Sequence, residues 1–355
     1  MQPLLTRSEL TRYIFRSSLL ITLLIIFSSC GENNSDADET EYRQFIGFTM
    51  GTTYQITVES TQEKELYLKQ KIDARLIEIN QLMSTYIKSS ELSLFNLNKL
   101  DSCIPMSAEN LFVIREANRV SKQTNGKFDI TLDLLIKEWG FDSKKTNNHI
   151  PEEATILKLL KKIGYSKLQI QNNCILKENK SLSVNLSAIA KGYGVDQIAK
   201  IISDTGVKNY LVEIGGETAS KGVNSKSKSW RLAIEAPIEK TRQIQKIFEP
   251  HNLGVATSGN YRNFFEKDGK RYSHTIDPTT GKPITHNLAS VTVLHQQTML
   301  ADAYATAFMV MGKESSLAFA EENNIALYLL IKSDEGFVER HSSEFVKHFP
   351  LEPSS

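Results

Sequence analysis

The stretch Met50-Gly51-Thr52-Thr53-Tyr54-Gln55-Ile56-Thr57-Val58 opens on a glycine-containing turn and then alternates polar with apolar residues. Tyr54, Ile56 and Val58 fall at every second position, which is the pattern of a strand with one buried face. The period then changes. Ile72, Leu76, Ile79 and Met83 recur at three- and four-residue spacing, as on the apolar stripe of an amphipathic helix. A strand entered through a turn and followed by a long helix points to a mixed chain.

The same reading extends to both sides. A helix is predicted from Ser107, a residue suited to the N-cap, to the Asn125-Gly126 stop, and another from Pro151 to Ile163 before Gly164. A further helix follows Asn185 and carries Ile189, Tyr193, Ile198 and Ile201. Strands are predicted over Tyr210 to Ile214, Trp230 to Glu235, Leu253 to Thr257, Arg271 to Ile276, Ala289 to Leu294 and Ile325 to Ile331, with a helix from Ala301 to Met311. Helices dominate the first half and strands the second, so the expected class is α+β. No linker divides the chain, and one compact unit over 45–345 is expected.

The N-terminus reads as an address. Arg7, Arg12 and Arg16 precede the apolar run Leu19 to Phe27, and Ser28 and Ser29 lead to Cys30. That run is too short for a stable bilayer anchor, which needs about 20 apolar residues. Residues 1–29 are therefore expected to be an export signal and 30–44 a polar, acidic tether. Removing 1–29 takes Lys+Arg from 42 to 39 and Asp+Glu from 41 to 40, a net charge of −1. Such a balance argues against a nucleic-acid partner. Cys103 and Cys174 read as incidental thiols, with a single disulfide as the alternative.

Three segments carry chemistry. Val184-Asn185-Leu186-Ser187-Ala188-Ile189-Ala190-Lys191-Gly192 sets small residues at a helix start, where free N–H groups suit phosphate and Lys191 adds charge. Close packing is the plainer explanation of those small residues. Thr257-Ser258-Gly259-Asn260 is followed by His274-Thr275-Ile276-Asp277-Pro278-Thr279-Thr280-Gly281, a strand end running into a turn. In Ala301-Asp302-Ala303-Tyr304-Ala305-Thr306, Asp302 and Thr306 share a helix face. Their oxygen-only donor set suits a hard cation such as Mg²⁺.

Together the three segments resemble the FAD:protein FMN transferase (ApbE-type) family. Met50-Gly51-Thr52-Thr53-Tyr54, Met83-Ser84-Thr85-Tyr86, Gly126-Lys127-Phe128-Asp129-Ile130-Thr131, Trp139-Gly140-Phe141 and Gly215-Gly216-Glu217 extend the likeness in order. It runs from about Phe45 to Ile331. The segment around Cys30 similarly resembles a bacterial lipoprotein box, although Phe27 stands where Leu is usual.

The resemblance implies two T-fold-like halves joined in one unit. It implies Mg²⁺ held by Asp302, Thr306 and the carbonyl of Ala188. It also implies FAD held by Met50, Tyr86, Lys127, Phe128, Asp129, Asn185, Lys191, His274 and Ile276. Asn185 falls where many members have Asp. The implied reaction moves the FMN half of FAD onto a Thr or Ser hydroxyl of an acceptor protein. AMP is released and a phosphoester is left. His274 is the candidate base, and Cys30 the lipidation site of an exported, membrane-anchored protein facing the periplasm. An FAD pyrophosphatase and an exported FAD-binding protein are the alternatives. The Asp302/Thr306 pair argues against mere storage.

Overall fold

The computed structural model describes residues 39–142, 149–238, 243–260 and 263–349; Cys30 and the signal segment lie outside them. Its centre is an eight-stranded sheet: β1 Glu41–Thr49, β2 Thr52–Ser60, β3 Tyr210–Ile214, β4 Glu217–Lys221, β5 Gly254–Gly259, β6 Leu288–His295, β7 Ala326–Ser333 and β8 Gly336–His341. Spatial order equals chain order and every neighbour is antiparallel. The main helices are α1 Gln62–Met83, α2 Ala108–Gln123, α3 Ala190–Asp204, α4 Thr298–Met311 and α5 Lys313–Glu322.

Each half of the sheet follows one plan. Two strands, a set of helices and two strands make β1-β2, α1 to α3, β3-β4, and the order recurs as β5-β6, α4-α5, β7-β8. The α+β class and the paired T-fold-like halves are therefore as expected, and Thr40–Ser355 form one unit. Helical residues outnumber strand residues in the first half of the chain and the reverse holds in the second, as the sequence pattern indicated, while within the central sheet each structural half supplies four strands. The strands missed in the first half include β1, whose residues 41–44 were expected in the tether. Polar side chains do not prevent an edge strand from pairing, because backbone groups make the ladder. Here Glu41 to Gln44 face Ser60 to Thr57, and the Tyr42 hydroxyl donates to the Val223 carbonyl at 2.7 Å.

The apolar stripe of α1 is buried as read, with Ile72 and Ile79 fully covered. Ile72 and Leu76 pack with β1, β2, β3 and α3 around Tyr54, Ile56, Val58 and Val212, while Ile79 and Met83 join the larger core with α2 and α4. Nearly every residue of α4 is buried, because it lies over β5 and β6 and against α2, α3 and α5. A helix covered on all sides has no polar face to write into the sequence.

Cys103 and Cys174, 71 positions apart in sequence, are bonded, with Cα atoms 5.5 Å apart. This overturns the reading of two incidental thiols. Pairing of Ile104–Pro105 with Cys174–Lys177 brings the two together, and sequence spacing holds no trace of it. Replacing both with Ser is expected to lower unfolding free energy by about 2–5 kcal/mol. Urea melts of the oxidised wild type and the double variant measure this; coincident curves would contradict it.

Candidate functional site

A cleft of about 600 Å³ opens where the two halves meet. The first half contributes Thr52 and Thr53 of β2, the loop Lys127–Ile130, the segment from Asn185 to Lys191 and the β3–β4 turn with Glu217. The second contributes Thr257–Gly259, His274–Ile276 and the α4 residues Asp302, Thr306 and Val310.

The site depends on how closely α3 approaches α4. A Cβ on Gly192 would lie 2.4 Å from the Thr298 carbonyl oxygen, so only glycine permits the contact. Packing explains that small residue, as the plainer reading held. Asp196, one turn further on, accepts the N–H groups of Thr298 and Met299 at 2.8 and 2.9 Å. A carboxylate there satisfies free amides at the start of α4 and favours its dipole. With the helices locked, the Gly192 N–H donates to Asp302 Oδ2 at 3.1 Å. The α3 helix itself starts at Ala190, later than the residue after Asn185; 187–189 form a turn.

Lys191 projects between two carboxylates. Its Nζ lies 3.1 Å from Glu217 Oε1 and 3.7 Å from Asp302 Oδ1. Burial opposes its charge, yet Asp302 and Glu217 hold the ammonium well above the ordinary lysine range. Burial pushes the Glu217 carboxyl up; Lys191 opposes this and Asp302 adds to it. Glu217 follows the Gly215-Gly216 turn, whose positive φ angles of 60° and 105° suit glycine. Sequence reasoning assigned Glu217 no role. Its one local signal is an acid placed directly after that turn.

The donor set fits a hard cation. Asp302, Thr306 and Ala188 all line the cleft. The Thr306 hydroxyl has Ser258 Oγ as its partner, at 3.3 Å. Glu217 Oε2 is buried without a hydrogen-bond partner. With Glu217 and Asp302 both ionised against one ammonium the site would carry a buried negative excess, which a dication would offset.

His274 sits between two short hairpins, because the strand predicted to Ile276 is broken: Lys270–Ser273 pairs with Phe264–Lys267, and Ile276–Asp277 with Lys282–Pro283. Its Nδ1 lies 3.0 Å from the Asn263 carbonyl oxygen. A carbonyl only accepts, so Nδ1 carries the proton and Nε2 keeps its lone pair. Burial pulls its pKa down and Lys191 repels its charged form, against the pull of the Asn263 carbonyl.

The other expected FAD contacts divide. Lys127, Phe128, Asp129, Asn185 and Ile276 line the cleft. Lys127 Nζ pairs with Asp277 at 3.1 Å, tying its loop to the other half. Asp129 accepts from Thr131 and from the Tyr165 N–H, so it also braces that loop. Met50 and Tyr86 are not among the lining residues. Met50 takes a φ of 49° in the β1–β2 turn and packs toward both cores, while Tyr86 is 65% exposed.

Residues 50–329 match the model of the ApbE family. The chain belongs to that family. It is 44% identical over 301 residues to the FAD:protein FMN transferase of Vibrio cholerae, covering 84% of this chain and 90% of the relative. The enzyme of the same name from Haemophilus influenzae is 41% identical over 324 residues, 87% of this chain and 92% of its own. Among solved structures, the flavin transferase ApbE from Vibrio cholerae superposes with a TM-score of 0.81 at 41% identity, covering 87% of this chain and all of the other. The apo flavinyl transferase ApbE of Pseudomonas stutzeri gives 0.80 at 35% identity over 87% and 97%. The matched stretch, 50–329, spans both halves and includes every lining residue named above.

Proposed function

We propose that this chain is an FAD:protein FMN transferase that moves the FMN half of FAD onto a Thr or Ser hydroxyl of an acceptor protein. The observation that carries this is Lys191, held between Glu217 and Asp302 in a cleft that also contains His274. The acceptor oxygen bonds to the phosphorus on the FMN side, and the bond from that phosphorus to the AMP oxygen breaks. The hydroxyl proton passes to Nε2 of His274, AMP leaves, and FMN stays on the protein through a phosphoester.

Each residue has a physical part in this. Lys191 offsets charge on the pyrophosphate, where a fixed ammonium in a water-poor cleft acts more strongly than in solution. Asn263 keeps His274 in the tautomer that can accept a proton. Asp302, Thr306 and the Ala188 carbonyl would hold Mg²⁺, which supplies further positive charge against the developing phosphate charge. Incubation with FAD, Mg²⁺ and an acceptor protein should yield acceptor bands with flavin fluorescence that survive denaturing gels, plus one AMP per band. Release of free FMN with no labelled protein would replace the transferase reading by that of an FAD pyrophosphatase.

The site of action follows from the N-terminal sequence. In this reading residues 1–29 direct export, Cys30 is lipidated, and the enzyme works outside the cytoplasmic membrane on a tether. The Cys103–Cys174 bond supports an oxidising compartment. Among the described residues no helix is long and apolar enough to cross a membrane; the anchoring is assigned to the lipid from the sequence around Cys30. Cys30→Ala should move the enzyme from membrane to soluble fractions with turnover unchanged. A variant that stayed membrane-bound at unaltered mass would remove the lipid anchor.

A further inference from the structure

Asp133 is buried and does not line the cleft, yet its carboxylate reaches the cleft wall. Oδ2 accepts from Lys137 Nζ and from the Ser183 hydroxyl, each at 2.6 Å. Oδ1 accepts from Asn185 Nδ2 at 3.3 Å. Asn185 is a lining residue, and its own Oδ1 accepts the Ser187 N–H at 3.0 Å. Its backbone N–H donates to the Ile130 carbonyl at 2.7 Å, which joins the segment to the Lys127–Ile130 loop.

These contacts leave the Asn185 amide one orientation. A carboxylate on one side can only accept and an N–H on the other can only donate, so NH₂ faces Asp133 and the carbonyl oxygen faces Ser187. The turn that follows carries Ser187 and Ala188 into the cleft. We infer that Asp133 is a positioning residue for FAD: acting through the Asn185 amide, it sets the 185–188 turn against which FAD binds. This rests on the FAD reading above. An Asp at position 185 would here bring two carboxylates together at the Asp133 contact. Placing Asp there should therefore harm this enzyme, and exchanging the pair should repair it. In the exchanged pair an amide at position 133 donates to a carboxylate at position 185, so the hydrogen bond is kept with its direction reversed. The carboxylate at 185 still accepts from the Ser187 N–H.

The test compares wild type, Asn185→Asp, Asp133→Asn and the double exchange. FAD affinity is read from flavin fluorescence in the presence of Mg²⁺, well below each melting temperature, and thermal unfolding is recorded on the same preparations. Asn185→Asp is expected to bind FAD roughly tenfold more weakly or worse, because like charges would face each other in a partly buried contact. The double exchange should return affinity to within roughly threefold of wild type, since the donor–acceptor pair is remade. The role is overturned if Asn185→Asp keeps wild-type affinity, or if the double exchange binds no better than it. It is equally overturned if melting temperature falls and recovers while affinity stays constant, which would make the contact merely structural. Wild-type protein unable to hold FAD would count against the substrate reading and this role together.

Discussion

His274→Gln is expected to slow FMN transfer by about 10² to 10⁴ while leaving FAD affinity nearly unchanged. Gln keeps a polar side chain between the hairpins but has no basic nitrogen to take the acceptor proton. Near-wild-type transfer by the variant would remove His274 from the mechanism. Loss of FAD binding or melting temperature in step with rate would reduce it to a residue that holds the hairpins. A pH profile adds an independent check. Only neutral imidazole accepts a proton, and burial together with Lys191 depresses the His274 pKa below its ordinary value near 6.5. The rate should thus stay level from pH 8 down to about 6.5 and fall only below that, as the ring gains its proton. A limb that begins to fall well above pH 7 and is absent from the His274→Gln profile would contradict the environment described for this ring; one shared by both profiles belongs to another group, such as Glu217, whose carboxyl is pushed up to about 8.

The second large effect belongs to Asp302. Its carboxylate meets Lys191 and accepts from Gly192, so two variants are needed to separate charge from hydrogen bonding. Asp302→Asn keeps an acceptor oxygen for the Gly192 N–H but removes the anionic donor. Turnover should drop by about 10² to 10³, the usual scale for losing one electrostatic stabiliser, and Mg²⁺ binding measured by calorimetry should collapse. Asp302→Ala should do the same and also lose about 1–3 kcal/mol of stability, because the buried Gly192 N–H is left unpaired. Thr306→Ala should be milder, since a neutral oxygen holds a dication less strongly. Unimpaired Mg²⁺ binding by Asp302→Asn would sink the metal assignment.

Much of this site was legible locally. Asp302 and Thr306 lie four apart on one helix, so their shared face follows from helical period alone. Lys191 near a helix start and His274 before a Pro-containing turn are also short-range patterns. Strands such as Tyr210–Ile214, with its alternating burial, were legible for the same reason. What sequence reading missed has the opposite character. The edge strand β1 is polar where it begins and is held by backbone pairing with β2. The strand expected to end at Ile276 breaks at His274, because its two parts take different partners.

Residue spacing by itself determined the class, the core faces of α1 and β2, and the residue types gathered for chemistry. These depend on interactions within one or two turns of chain, which a linear pattern records. Tertiary structure alone decided the pairs that act together. Lys191 meets Glu217 and Asp302 because the glycine contact at Thr298 lets α3 and α4 approach. Asp133 meets Asn185 across 52 positions, Cys103 meets Cys174 across 71, and the Asn263 carbonyl selects the tautomer of His274. Such pairings arise when distant segments close over a common core, and a buried polar group then takes whichever partner the packing brings within reach.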